Sequence, residues 1–246
     1  MTTGLRLVAT GMLALALTAS CASGRDYPAP PGPPVTEFVP THAPVGTPEG
    51  AALSPDGFDT VQRMAVRIRN VGCGSLSTGS GFAIDPVTLI TNEHVVADSA
   101  DLQVSTYDGR DIAVTAASTA TLADLALVRT AEELPSYPQL ADADPQPGDP
   151  VTVVGYPHGG RLTVTSGQVI GTTTDPLNAN LGEVLVTDAE VEPGSSGSAV
   201  LDSRSRVVGV VYAKSASGQS YIVPVSTLRS LLADTAAFLP VTTCER

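Results

Sequence analysis

Basic charge is scarce in this chain: 13 Lys and Arg stand against 25 Asp and Glu over 246 residues, a formal net charge of -12. No basic run offsets the repulsion, so nucleic acid and anionic lipid surfaces are disfavoured as partners. Histidine and cysteine are as sparse, three of each. They are scattered along the sequence without metal-ligand spacing, so no metal site is expected. A membrane-spanning run is also missing at the amino end. The apolar stretch after Arg6, from Leu7 to Leu17, is shorter than the roughly 20 residues a spanning helix needs, but it fits the h-region of a secretory signal.

Past that stretch the chain changes character twice. Leu17-Thr18-Ala19-Ser20-Cys21 resembles a bacterial lipobox, with Thr18 where leucine is usual. Residues 1–21 therefore read as a signal peptide that ends at a lipidated Cys21, the membrane being touched only through that anchor. The alternative is cleavage after Ala19 or Ala22, leaving a freely secreted protein. Residues 22–56 carry nine prolines between Ala22 and Pro55 and almost no apolar periodicity. Such a tract cannot bury a core; fully extended at about 3.1 Å per residue it reaches on the order of 100 Å.

Residues 57–246 form the folded part. Short apolar runs recur there, separated by turns rich in Gly, Pro and Asp: Ala65 to Arg69, Gly81 to Ile84, Leu102 to Thr106, Ala113 to Ala117, Leu125 to Arg129, Val151 to Gly155, Leu162 to Ile170, Glu183 to Asp188, Ala199 to Leu201, Val207 to Tyr212 and Ser220 to Val223. This pattern predicts an all-β domain. One helix is expected near the carboxyl end, with Ser226 as its N-cap and Leu228, Leu231, Leu232 and Phe238 as its apolar stripe. Gly79-Ser80-Gly81 and Gly159-Gly160-Arg161 read as turns.

The chemistry concentrates at Gly194-Ser195-Ser196-Gly197-Ser198. A serine hydroxyl is a weak nucleophile that needs a base within reach, and the base needs a partner to fix its tautomer. Of the three histidines, His42 lies in the Pro-rich tract and His158 in a Tyr-Pro-His-Gly-Gly turn, whereas His94 follows the strand-like Thr88-Leu89-Ile90-Thr91. Asp124 sits in the apolar Leu122-Ala123-Asp124-Leu125-Ala126-Leu127-Val128, where a carboxylate is expensive unless paired, and His94 is its best partner. Asp98 and Asp101 are nearer to His94 in sequence but have polar, loop-like surroundings. Gly194 and Gly197 permit a tight turn that presents Ser196, with the Gly194 and Ser196 N–H groups as oxyanion donors.

These segments, ITNEHVVADS around His94, ADLALV around Asp124 and TDAEVEPGSSGSAV around Ser196, resemble the trypsin-like serine proteases, and within them the bacterial HtrA/Deg-type protease domain. The resemblance runs from about Asp59 to Leu239 and implies two six-stranded antiparallel β-barrels of the chymotrypsin fold with a C-terminal helix. It implies an endopeptidase acting on protein or peptide substrates through a Ser-His-Asp triad without a cofactor. The peptide-binding module that follows most HtrA protease domains is expected to be absent. By the same resemblance Glu190 and Val191 lie near the base of the substrate pocket, and Tyr212, Ala213 and Lys214 flank it. Ser195 stands where trypsin carries an aspartate, so the activating ion pair of trypsin with a new N-terminus is not expected. If Cys21 is lipidated, Cys73 and Cys244 remain as an even pair in an oxidising compartment, either bridged or as two buried thiols. A protease-fold binding or scaffold lipoprotein of the cell envelope, lacking turnover, would carry the same motifs.

Overall fold

The computed structural model describes residues 59–177, 182–215, 218–241 and 243–244. The expected signal sequence, Cys21 and the tether of 22–56 lie outside the described residues. A single turn, α1 (Thr60–Arg63), opens the fold with Asp59 and Gln62 in a reciprocal capping box. Seven strands come next: β1 (Ala65–Gly72), β2 (Leu76–Asp85), β3 (Thr88–Thr91), β4 (Ser99–Thr106), β5 (Asp111–Ile112), β6 (Val114–Ala120) and β7 (Leu125–Thr130), with the short helix α2 (Glu93–Val96) between β3 and β4. The second set is β8 (Pro150–Gly155), β9 (Thr163–Thr174), β10 (Glu183–Thr187), β11 (Ala199–Leu201), β12 (Val207–Lys214) and β13 (Ser220–Pro224). Helix α3 (Val225–Ala233) and the two-residue β14 (Leu239–Pro240) complete the elements.

The second set closes into a six-stranded barrel in the order β10-β13-β12-β11-β8-β9, while the first is an eight-stranded sheet in the order β14-β6-β7-β3-β2-β1-β4-β5. The first sheet exceeds the expected six because β5 extends the β4 hairpin and β14 arrives from the carboxyl end. That arrival fills a seam. Leu239 pairs with Thr119 of β6, the Val241 N–H donates to the Ala117 carbonyl at 3.1 Å, and Thr243 bridges to Ser99 of β4. A disulfide between Cys73 and Cys244 pins this tail to the turn after β1.

The near-continuous apolar strands are explained by two burials on opposite faces. In β7, Leu125 enters a core between the two sheets and Ala126 and Val128 enter the core of the first. In β12, Val207, Val210 and Tyr212 join the shared core while Val208 and Val211 fill the second barrel. Phe82 and Leu125, both fully buried, each gain about 1.5–3 kcal/mol from leaving water.

Three local expectations are corrected. Gly79-Ser80-Gly81 is the interior of β2, paired with Arg67 and its neighbours in β1; a methyl at Gly79 would collide with the Val95 side chain and one at Gly81 with the Ile90 carbonyl, so packing rather than a turn calls for the glycines. Pro224, not Ser226, is the N-cap of α3; Asp144 from a distant loop accepts both the Ser226 N–H (2.9 Å) and its hydroxyl (2.6 Å). Phe238 falls beyond the helix, which ends at Ala233 before a one-turn segment at Thr235–Ala237.

Candidate active site

Asp124 does not lie inside a strand but on the step just before β7, in the left-handed region (φ 48). Asp tolerates that conformation better than most residues. There it organises α2. Its main-chain carbonyl accepts the Asn92 side-chain N–H (2.8 Å) and the Glu93 N–H (3.2 Å), and its Oδ1 accepts the His94 N–H (3.0 Å). Oδ2 faces His94 Nδ1 at 2.7 Å. A carboxylate oxygen at that distance requires the proton on Nδ1, which leaves Nε2 as an acceptor. The His94 side chain is 49% exposed and that of Asp124 19%, so the pair is open on the imidazole side and shielded on the carboxylate side.

Ser196 stands on the turn between β10 and β11, half-buried. Its loop is clamped on β12: the Gly197 N–H donates to the Val211 carbonyl (2.8 Å) and the Val211 N–H to that of Ser198 (3.0 Å). Gly197 has φ +86, and a methyl there would collide with the Ser80 carbonyl oxygen and the Thr91 hydroxyl. Thr91 ends β3, three residues before His94, so base and serine loop meet through this contact. No hydrogen bond joins Ser196 Oγ to the protein among the described residues.

Backbone donors around the serine divide sharply. The N–H groups of Ser195, Gly197 and Ser198 all have acceptors within the protein, whereas those of Gly194 and Ser196 donate to none among the described residues. The Pro193 carbonyl accepts the His158 N–H at 2.5 Å, and because a peptide's C=O and N–H point in opposite directions, this bond orients the Gly194 N–H.

Ser80, fully buried, is the residue that sequence reasoning missed. Its hydroxyl donates to the Gly194 carbonyl (2.8 Å) and accepts the Tyr156 N–H (2.8 Å). Its own N–H donates to the Ser196 carbonyl (2.7 Å), and its carbonyl accepts the Thr91 hydroxyl (2.7 Å). One side chain and one peptide unit of the first sheet thus fix the serine loop from both sides. Ser195 has a local role as well: its N–H donates to the Glu192 carbonyl (2.8 Å) and its Oγ accepts the Glu192 N–H (3.1 Å), closing the turn.

The residues expected to line the substrate pocket are dispersed. Val191 is packed in the second-barrel core and Tyr212 in the shared core. The Tyr212 hydroxyl donates to the buried Asp175 at 2.5 Å, and burial, reinforced by the Asp175 carboxylate, pushes its ionisation far above the usual range. Ala213 is half-buried, and exposed Glu190 borders a cavity of about 160 Å³ walled by β8 and β9. Lys214 is paired with Glu192 at 2.7 Å. The Glu192 carboxyl is held below its ordinary value by the hydrogen bond from Lys214, with His158 adding to the effect. Among the described residues no cluster of His, Cys, Asp and Glu could hold a metal ion.

A family model described as the trypsin-like peptidase domain matches residues 79–210, more than half of the chain. The chain belongs to the trypsin-like peptidase family. It is 34% identical over 164 residues to the mitochondrial serine protease HTRA2 of Bos taurus, covering 64% of this chain and 36% of that protein. It is 31% identical over 182 residues to serine protease Rv3671c of Mycobacterium tuberculosis, covering 69% of this chain and 45% of that protein. The chain therefore spans less than half the length of these relatives. The crystal structure of the active form of Rv3671c protease superposes with a TM-score of 0.65 at 26% identity, covering 74% of this chain and 85% of that one.

Proposed function

We propose that the chain is an exported serine endopeptidase in which His94, Asp124 and Ser196 form the triad. The observation that carries this reading is the double engagement of His94 by Asp124, ring and backbone on the two oxygens of one carboxylate. As a peptide docks, Ser196 Oγ attacks the scissile carbonyl while His94 Nε2 takes its proton, and Asp124 stabilises the imidazolium. The Gly194 and Ser196 N–H groups receive the developing oxyanion. His94 then protonates the leaving amine, and a water activated by the same nitrogen hydrolyses the acyl-enzyme. The Ser196–His94 hydrogen bond tightens as substrate docks, the stage at which catalytic hydrogen bonds reach their working geometry.

Export is supported by the amino-terminal apolar run and by the disulfide, which belongs to an oxidising compartment. Lipidation at Cys21 would hold the domain at the outer face of the cell membrane through the 22–56 tether. Cleavage of an unfolded protein such as casein tests the activity. Wild type is expected to cleave it, Asp124→Asn to lose on the order of 10⁴-fold in kcat, and Ser196→Ala and His94→Ala to fall to background. Equal rates in wild type and Ser196→Ala would refute the assignment.

A further inference from the structure

Asp175 is the one buried carboxyl group among the described residues, 4% exposed, and no step of the peptidase mechanism uses it. It follows the last residue of β9, and its N–H donates to the Gly182 carbonyl at 2.8 Å. Its Oδ1 accepts the Leu177 N–H (2.8 Å) and the Tyr212 hydroxyl (2.5 Å), while Oδ2 meets no donor among the described residues. A carboxyl group buried on so few bonds is costly to keep, and costly to separate from its partner.

That partner occupies a bulge. Val211 of β12 faces Ile222 of β13 and Ala213 faces Tyr221, so Tyr212 is the extra residue on β12, and a bulge of this kind re-aims a side chain. Its ring enters the shared core, the cluster that also holds Ala123 and Leu125 on either side of Asp124. Val211, one residue earlier, accepts the Gly197 N–H on its carbonyl and donates its own N–H to the Ser198 carbonyl. The bulge therefore lies between the carboxylate that orients His94 and the loop that carries Ser196.

We infer that Asp175 and Tyr212 are positioning residues for the triad: the Asp175 carboxyl fixes the Tyr212 hydroxyl, the fixed ring sets the bulge, and the bulge holds Val211 and the Ser196 loop in place against Asp124 and His94. This role rests on His94, Asp124 and Ser196 being the triad. The Tyr212 hydroxyl is a lasting donor, because burial, then the Asp175 bond and charge, with Tyr221 and Asp124 adding, push its ionisation far above the usual range. That the Asp124 charge is felt at this hydroxyl puts the bulge within electrostatic reach of the triad. The Tyr221 ring lies 6.2 Å from that of Tyr212, centroid to centroid, so removal of the hydroxyl alone leaves the ring seated.

The test compares wild type, Tyr212→Phe, Asp175→Ala, Asp175→Asn and the double variant Tyr212→Phe/Asp175→Ala. Peptide hydrolysis and the rate of fluorophosphonate labelling of Ser196 are measured per folded molecule, with circular dichroism at the assay temperature giving the folded fraction. Small misplacements of a reacting group are expensive, so Tyr212→Phe and Asp175→Ala are each expected to lose about ten-fold or more in kcat, with labelling slowed in parallel. Both side chains are buried away from substrate, so KM should stay within about two-fold. The double variant should lose no more than the worse single one, because both changes break one bond. The Asp175→Asn amide oxygen still accepts the hydroxyl, so this variant should keep kcat within about three-fold of wild type. Should Asp175→Ala not fold, Tyr212→Phe and Asp175→Asn decide. Lower stability with kcat and labelling per folded molecule unchanged in Tyr212→Phe overturns the positioning role alone, as do losses that multiply in the double variant or an Asp175→Asn protein as slow as Tyr212→Phe. A wild type that does not label overturns the nucleophile and the positioning role together.

Discussion

Ser80→Ala removes one oxygen atom far from the sequence of the serine loop, yet its consequences should reach both stability and turnover. In the folded chain that oxygen satisfies the Gly194 carbonyl and the Tyr156 N–H, each at 2.8 Å, at a position with no solvent exposure. Leaving a buried polar group without a partner costs about 1–3 kcal/mol, so two orphaned groups should lower the unfolding free energy by about 2–6 kcal/mol. With a urea dependence of about 2–3 kcal/mol/M, the midpoint falls by roughly 0.7–3 M. Gly194 is also released from one of the two bonds that orient it, the other being the His158 N–H to the Pro193 carbonyl. An oxyanion donor is worth about 10²–10³ in kcat; a loosened one should lose at least ten-fold with KM little changed. Urea denaturation followed by fluorescence, together with steady-state peptide hydrolysis, reads both effects. Ser203→Ala, at an exposed position, is the control and should stay within about 0.5 kcal/mol. A Ser80→Ala protein indistinguishable from that control in both assays would refute the role assigned to Ser80.

Gly197→Ala places a methyl against the Ser80 carbonyl and the Thr91 hydroxyl at φ +86, and should abolish casein cleavage while lowering the thermal midpoint. Cys73→Ser or Cys244→Ser opens a covalent loop with a sequence separation of 171; the chain-entropy relation sets an upper loss of about 5 kcal/mol, measured as the drop in urea midpoint relative to the oxidised wild type. Asp202 accepts from the Arg204 and Arg206 N–H groups and from the Arg206 guanidinium. Burial pushes its carboxyl up, but these bonds outweigh burial and hold it below the ordinary aspartate value of 3.8. Its contribution is therefore present above that value and lost as pH falls through the lowered one. Asp202→Asn should cost about 2 kcal/mol at pH 7, seen as a lower thermal midpoint, and the difference from wild type should shrink in acid below the ordinary value.

The strands were legible because most of them are buried on both faces, so apolar runs such as Val207 to Ala213 carry the signal without strict alternation. His94, Asp124 and Ser196 could be singled out because their types, flanks and order are local properties. Partnerships across the chain could not be read in the same way. Ser80 lies 114 residues from Gly194 and 76 from Tyr156, and its glycine neighbours give it the look of a turn. Asp144 meets Ser226 across 82 residues, so the sequence near α3 contains no sign of its cap. The side taken by an apolar wall residue is hidden for a similar reason. Val191 and Tyr212 fit a pocket or a core equally well by type, and only the packing of two barrels sends both into cores.

That Ser196 is an activated nucleophile is tested most directly by intact-mass analysis after treatment with a fluorophosphonate, with peptide mapping of the adduct. One adduct per chain is expected, located on Ser196, absent in Ser196→Ala and strongly slowed in His94→Ala. An unlabelled wild-type protein, or an adduct on Ser195 or Ser198 that persists in Ser196→Ala, would contradict the assignment.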